Sequence, residues 1–152
     1  MHLSTYLGLL HDGEQTLAGS YRQVGEGHQA EADVYYACLT VAAQCDEHVS
    51  ALAPVVERYG EAAEQVPERL DAQGLSSVRS GGLGFLRDLH ELYALCSFLD
   101  ITWTMVGQAA RGLADAELLQ VVGQCESQTS LQLRWLATRM KVAAPQALIV
   151  AS

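Results

Sequence analysis

The sequence predicts an all-α protein folded as an antiparallel four-helix bundle, and three observations support that prediction. Apolar residues recur at steps of three and four over long stretches, as they do on one face of an α-helix. The chain holds only 3 prolines, and its β-branched residues do not form the runs typical of strands. Four such stretches occur, separated by breaks, and four helices with an apolar repeat of about 3.5 residues are typical of a bundle.

The first two stretches predict a helical hairpin. The first helix is expected over residues 3–25, where Gly25-Glu26-Gly27 marks its end. The second is expected over residues 29–59, and Pro54 should kink its last turn because proline removes a backbone hydrogen bond. The link between the two helices is short, so they should be neighbours in space.

The second half of the chain predicts another hairpin, preceded by a long connection. Residues 60–80 contain several Gly, Pro and Ser residues, with room for a short helix around 61–72. The sequence leaves open whether this connection crosses the length of the bundle or folds back. The third helix is expected over residues 82–110 and the fourth over residues 115–143.

Two residues set the limits of the predicted fourth helix. Asp115 is suited to its N-cap, and Pro145 is expected to stop it. Residues 1–143 then form one bundle domain, followed by an apolar tail over residues 144–152. Because this tail is too short to span a bilayer and too apolar to favour water, we expect it to dock on the bundle or on a second subunit.

Charge and composition exclude several kinds of partner. The chain carries 9 basic and 18 acidic residues, a net charge of −9, which argues against nucleic-acid binding. No uninterrupted apolar stretch is long enough to span a membrane, and the first residues lack the features of a signal peptide. We therefore expect a cytoplasmic protein without a membrane or nucleic-acid partner, acting as a homodimer or with a protein partner.

The cysteines predict buried thiols rather than a bonded framework. They stand alone in the sequence instead of in closely spaced pairs, which is typical of small buried hydrophobic residues in a reducing compartment. They are Cys38, Cys45, Cys96 and Cys125.

Polar residues on the apolar stripes are the candidates for function. Glu14 interrupts the first stripe, His48 the second and Glu126 the fourth, each near the middle of its helix. Asp100 borders the third stripe, at a height similar to that of Glu126. Because a buried carboxylate is costly unless it is paired or bound to a cation, these four residues predict a metal site for iron or another transition metal.

A second cluster competes with the first as a metal site. His11, Cys45 and His48 would offer nitrogen and sulfur ligands suited to zinc or copper. Alternatively, His11 is solvated and His48 is a hydrogen-bonded histidine of the core. The run of Asp88, His90 and Glu91 is expected on the solvent face of the third helix.

These residues and their helices resemble the ferritin-like superfamily of small bacterial bundles. Glu14 matches the first-helix Glu of that family by position, and His48 stands for its second-helix His. Cys45 occupies the position of the carboxylate that precedes this His by three residues, and Glu126 is followed by Thr129 rather than His. The resemblance implies two hairpins joined by a long connection. The chain departs from the family in lacking the Glu-x-x-His steps of a standard di-iron centre.

Two functions are consistent with these features. The first is a binding or interaction protein without a standard di-iron centre, and the sequence offers no residues arranged for nucleophilic catalysis. The alternative is a metal-dependent redox or metal-handling protein that uses Glu14, His48, Asp100 and Glu126. Glu126 is the expected companion of Glu14, since a turn near residue 27 would leave His48 about 12 Å further along the bundle axis.

Overall fold

Four long helices make up most of the structure, a computed structural model that describes residues 1–60 and 73–151. Within those ranges no residue forms a β-strand, which confirms the all-α prediction. The short helix predicted around residues 61–72 lies outside the described residues. The helices are α1 (Leu3–Gly27), α2 (Ala32–Tyr59), α3 (Gly81–Gly112) and α4 (Ala116–Pro145), followed by a π-helical turn over Gln146–Val150.

The core is built from one buried stripe on each helix. Apolar side chains at three- and four-residue steps face the other helices, and removing this surface from water stabilises the bundle. The largest fully buried side chains include Trp103 of α3 and Tyr21 of α1. Leucines supply most of the remainder, namely Leu7, Leu10, Leu17, Leu52, Leu89, Leu92, Leu99, Leu118 and Leu136.

At one end of the bundle, the C-terminal end of α1 lies beside the starts of α2 and α3 and beside the C-terminal part of α4. His28, which follows α1, bonds Asp88 of α3. Arg139 of α4 donates to Glu31 and Asp33 at the start of α2. These contacts place the beginning of α3 beside the beginning of α2.

The opposite end of the bundle holds the end of α2 and the start of α4. Arg58 and Tyr59 both donate to the carboxylate of Asp115, which caps α4 through the backbone N–H of Leu118. The 28 residues of α2 extend over about 42 Å. The end of α2 and the start of α3 therefore lie at opposite ends of the bundle, while residues 61–72 between them lie outside the described residues.

The second half of the connection lies along α1. The backbone N–H of Leu75 donates to Ser20 Oγ over 3.3 Å, and the Leu75 side chain is buried. At Gly74 a Cβ atom would lie 2.7 Å from that same oxygen. Gly27 of α1 is held so close to Val78 that a Cβ atom would overlap it. A Cβ atom at either position would displace a side chain of the neighbouring segment, so glycine allows the two segments to approach closely.

The C-terminal end of α4 agrees with the prediction in part. The α-helix ends at Pro145, as predicted, but Pro145 keeps helical dihedral angles, with φ −59° and ψ −44°. The chain continues into the π-helical turn, where Ala151 N donates to the Gln146 carbonyl over 2.7 Å. Ala147 is buried in this turn, and its Cα would lie 3.8 Å from a Cβ atom at Gly82 of α3. The tail therefore docks on the bundle through Ala147, as one of the predicted alternatives has it.

The tail and the helices leave some apolar surface open. Leu148, Ile149 and Val150 are exposed to solvent at 66%, 81% and 67%. Across the described ranges, no helix combines the length and the apolar character needed to cross a membrane.

Candidate functional site

A buried carboxylate lies at the centre of the core. Glu14 is fully inaccessible to solvent, which confirms the prediction from its place between Leu10 and Leu17. Trp103 of α3 donates its indole N–H to Glu14 Oε1 over 2.9 Å. A donor that points at a charged acceptor forms a stronger bond than a neutral pair, so the indole offsets part of the cost of burying the acid.

His48 of α2 completes a buried charge pair with Glu14. Its Nδ1 atom lies 3.2 Å from Glu14 Oε1, and its Nε2 atom lies 2.6 Å from Gln128 Oε1. An amide oxygen can only accept, so Nε2 carries a proton. Burial alone would lower the pKa of His48, but the carboxylate of Glu14 and the Gln128 bond outweigh it and leave that pKa raised. The raised pKa favours the protonated form of His48 beside Glu14.

The geometry of this pair leaves two atoms unsatisfied. Glu14 Oε2 and His48 Nδ1 are buried and have no hydrogen-bond partner among the described residues. The short Nδ1–Oε1 distance therefore reflects an electrostatic contact rather than an aligned hydrogen bond. Buried polar atoms without a hydrogen-bond partner are rare in protein interiors, and they mark either strain or a functional site.

The predicted separation of Glu14 and His48 is wrong. The turn lies later than residue 27, because α1 continues to Gly27 and α2 begins only at Ala32. Residue 14 then lies opposite Cys45, and His48 is three residues further, about 4.5 Å along the axis. A glutamate side chain can cross that distance, so the contact forms directly.

A second polar layer lies beside the pair. Tyr21 donates its hydroxyl to Gln132 Oε1 over 3.2 Å, and Gln132 Nε2 donates to Gln44 Oε1 over 3.3 Å. The thiols of Cys96 and Cys45 flank the same amide, at 3.6 Å from Oε1 and 3.9 Å from Nε2. Gln132 thereby links α1, α2, α3 and α4.

The four thiols are neutral members of the core. All are buried and free, as the sequence predicts. Burial raises the pKa of Cys38, Cys96 and Cys125 to about 12. Burial and the nearby Glu14 carboxylate raise the pKa of Cys45 as well. A thiol that stays protonated is a poor nucleophile and a poor metal ligand.

Asp100 and Glu126 form a separate, half-buried pair. Thr104 donates its hydroxyl to Glu126 Oε1 over 3.1 Å. Burial and the neighbouring Glu126 carboxylate raise the pKa of Asp100. The two acids are neighbours, but Glu14 accepts a hydrogen bond from Trp103 and contacts His48 rather than Glu126. The four predicted metal ligands therefore fall into two pairs.

The second predicted metal cluster is not assembled. His11 is partly exposed, and its Nδ1 atom lies 3.5 Å from Asp12. Cys45 instead contacts Gln132. Over residues 1–60 and 73–151, no group of three or more His, Cys, Asp or Glu side chains is placed to hold a metal ion.

The predicted stripe of α4 is displaced by one residue in part of its length. The sequence favours a stripe through Glu126 and Leu133, whereas the structure buries Cys125 and Gln132. Both sets recur at three- and four-residue steps, so spacing does not separate them. Gln132 prevails because Tyr21 and Gln44 satisfy its amide in the core. The signal in the sequence that could have revealed this buried stripe is that Gln132 shares a helix face with Cys125 and Leu136.

A second buried acid lies at the end where α3 begins. Asp88 is fully buried and accepts from the backbone N–H of Arg79 over 2.9 Å and from its guanidinium over 2.8 Å. His28 Nε2 lies 2.8 Å from the same carboxylate. The prediction of a solvent-facing Asp88 is wrong, because the connection and the α1–α2 turn cover this part of α3.

An open groove lies at the opposite end, between the start of α1 and the end of α3. It encloses about 450 Å³. Its walls are almost entirely apolar and include two methionines, which adapt readily to different occupants. The lining residues are Met1, His2, Leu3, Tyr6, Met105, Val106, Ala109 and Leu113.

Comparison of the chain with protein-family models, with curated proteins and with solved structures gives no match. Two features of the structure bear on function, the polar core around Glu14 and the open apolar groove beside Met105. The core is closed to solvent, whereas the groove offers an accessible concave surface.

Proposed function

We propose that this protein is a binding or interaction protein, built as a ferritin-like bundle of two antiparallel hairpins joined by a long crossover. The contacts of His28 with Asp88 at one end and of Tyr59 with Asp115 at the other support this topology. A binding function requires a surface that a ligand can reach. A catalytic function would require reactive groups that a substrate can reach.

The groove is the observation that carries this proposal. Its volume of about 450 Å³ falls in the range of small-molecule sites, which are concave and mostly apolar. Met105 and Leu113 on its wall are about half exposed, so an occupant would remove apolar surface from water. The groove wall carries no acidic side chain and no Lys or Arg, and its polar side chains are His2 and Tyr6. The class of ligand that fits is therefore an uncharged, mainly apolar molecule or an apolar face of a protein.

The buried pair of Glu14 and His48 serves the fold in this proposal. Both side chains are sealed from solvent at 0% and 1% exposure, and each is fixed by a partner from another helix. If the helices packed in another register, these polar groups would be buried without partners. That register would therefore be less stable. Glu14 and His48 would thus select one arrangement of α1 and α2 against α3 and α4.

Titration with a neutral naphthylamine dye that fluoresces in apolar surroundings tests the proposal. Ala109→Phe should fill the groove and weaken dye binding at least tenfold, since the new ring occupies the space of the ligand. Ala43→Phe is the matched control, because Ala43 is exposed on α2 and outside the groove lining. Equal binding by the parent chain and by Ala109→Phe would contradict the proposal.

One observation favours the alternative, a metal-handling protein. Glu14 Oε2 and His48 Nδ1 are an unpaired oxygen and nitrogen in the core, and iron or another transition metal binds such atoms. Untagged protein should then retain metal in elemental analysis, and Glu14→Gln should lose it. Metal-free protein with an unchanged fold would exclude this function and leave the groove proposal standing.

A further inference from the structure

The polar side chains of the groove lie together on one of its walls. They are His2 and Tyr6, at the start of α1. The backbone N–H of Tyr6 donates to the His2 carbonyl over 3.4 Å, so the two residues are one helical turn apart on the same side of α1. The facing wall belongs to α3 and is apolar. Its lining residues are Met105, Val106, Ala109 and Leu113.

Tyr6 carries a hydroxyl that the fold does not use. Its ring is half-buried and packs against the core. Tyr21 and Tyr59 donate their hydroxyls to other helices, whereas the Tyr6 hydroxyl forms no hydrogen bond with another described residue. Within the same ranges it is not one of the buried atoms that lack a partner, so water reaches it. Tyr6 thus combines an anchored ring with an accessible polar tip.

We propose that the ligand of the groove is a small, neutral, mainly apolar molecule with one carbonyl oxygen, and that Tyr6 donates its hydroxyl to that oxygen. This inference rests on the proposed binding function and names the class of ligand. Tyr6 is then the residue that determines specificity, while the apolar wall of α3 supplies most of the contact. A carbonyl oxygen can only accept, so such a ligand brings no donor of its own that would stay unpaired in the groove.

The hydroxyl of Tyr6 selects against a pure hydrocarbon. An occupant of the groove removes water from this oxygen, and a polar group left without a partner costs free energy. A ligand with a carbonyl replaces the lost hydrogen bond, whereas a hydrocarbon does not. A site built to form a hydrogen bond therefore rejects the analogue that lacks the bonding group.

Charge and size narrow the class further. The groove lining has no acidic side chain and no Lys or Arg, so an ionic group would find no permanently charged side chain beside it. The net charge of −9 also repels anions. The volume of about 450 Å³ lies in the lower part of the range for small-molecule sites, roughly 300–1,000 Å³. These properties favour a neutral compound of modest size.

Displacement of the neutral dye by two matched compounds tests the inference. Acetylnaphthalene and ethylnaphthalene, substituted at the same ring position, have nearly the same shape and differ by a carbonyl in place of a methylene. Tyr6→Phe should weaken binding of the ketone about fivefold, the factor that one hydrogen bond of ordinary net strength supplies, and should leave binding of the hydrocarbon unchanged. The ratio of the two dissociation constants reports the bond itself, because a general change in the shape of the groove affects both compounds.

Tyr93→Phe is the matched control. Tyr93 is half-buried on α3 and lies outside the groove lining, so this variant should keep the parent ratio. Circular dichroism before each titration verifies that the variants are folded.

Four results would overturn the inference, and only the last also removes the proposed function. If both compounds bind and Tyr6→Phe leaves their ratio unchanged, the hydroxyl does not select the ligand. If the ratio falls in His2→Ala instead, the oxygen is held by His2. If naphthoate displaces the dye more tightly than the ketone does, the ligand is an acid rather than a neutral carbonyl compound. If neither the dye nor any of these compounds binds, the groove is not a binding site.

Discussion

Trp103 and Glu14 are joined across the core by a hydrogen bond of 2.9 Å from the indole N–H to the carboxylate. The two residues lie on α3 and α1, and both are fully buried. His48 approaches the same oxygen from α2, with its ring at 81° to the indole. Side chains of three helices thus meet at one carboxylate oxygen.

Removing the indole donor should destabilise the protein. Trp103→Phe leaves the Glu14 carboxylate with one fewer donor, and we expect a loss of about 2 kcal/mol or more in the free energy of unfolding. Urea denaturation followed by circular dichroism measures it. Trp135→Phe is the control, because Trp135 is only half-buried and should cost much less. Equal losses in the two variants would show that the Glu14 bond contributes little.

The buried pair predicts a pH dependence of stability. The pKa of His48 is raised above its ordinary value of 6.5 by Glu14 and Gln128 against the opposing effect of burial. A raised folded-state pKa stabilises the protein fully below the unfolded-state pKa, and this contribution is lost as the pH rises through the folded-state value. The free energy of unfolding should therefore fall as the pH rises above 6.5.

The matched variants for this pH dependence are Glu14→Gln and His90→Gln. Glu14→Gln removes the charge that holds the proton on His48, so its stability should vary much less with pH in the same window. His90 is exposed on α3, and His90→Gln should keep the parent slope. A parent protein whose stability rises through this window would contradict the raised pKa of His48.

Removing the charge of Asp88 should destabilise the protein far more than removing the charge of its exposed neighbour Glu91. Asp88→Asn keeps the shape of the side chain but removes the charge that faces Arg79 and His28, and we expect a loss of roughly 3 kcal/mol. Glu91→Gln breaks the exposed contact with the same arginine and should cost much less, as surface ion pairs do. Thermal unfolding of the two variants ranks them. A larger effect at Glu91 would refute the central role of the buried acid.

The N-cap of α4 offers a test that separates hydrogen bonding from charge. Asp115 accepts from Leu118 N over 3.1 Å and also binds Arg58. Asp115→Asn retains a capping oxygen, whereas Asp115→Ala loses it, so the melting temperature should fall more for Ala. Equal melting temperatures in the two variants would assign the effect to the charge of Asp115.

The helices were predictable because each is governed by a repeat within one segment. The stripe through Leu10, Leu17 and Tyr21 specifies α1 without reference to the rest of the chain. The place where α1 and α2 face each other depends instead on the length of the turn at His28. A difference of a few residues in the length of that turn decides whether His48 reaches Glu14. The pattern of glycines in the sequence does not determine the length of the turn.

The partners of the buried groups were not predictable for a different reason. In α4 two interleaved rows, one through Leu133 and one through Gln132, satisfy the same spacing. The choice between them depends on Tyr21 and Gln44, which lie on other helices. The burial of Asp88 likewise depends on Arg79 folding back over α3 from the connection. Pairings of this kind arise from tertiary contacts that a single repeat does not encode.

The methyl groups of the methionines report on occupancy of the groove. The chain has 3 methionines. Met105 lines the groove, whereas Met140 packs against the core from α4 and is absent from the groove lining. In a carbon-13 methyl NMR titration with the neutral dye at fixed protein concentration, the Met105 resonance should shift in proportion to occupancy while that of Met140 stays in place. A titration in which Met105 does not move, or in which Met140 moves equally, would contradict a binding site in the groove.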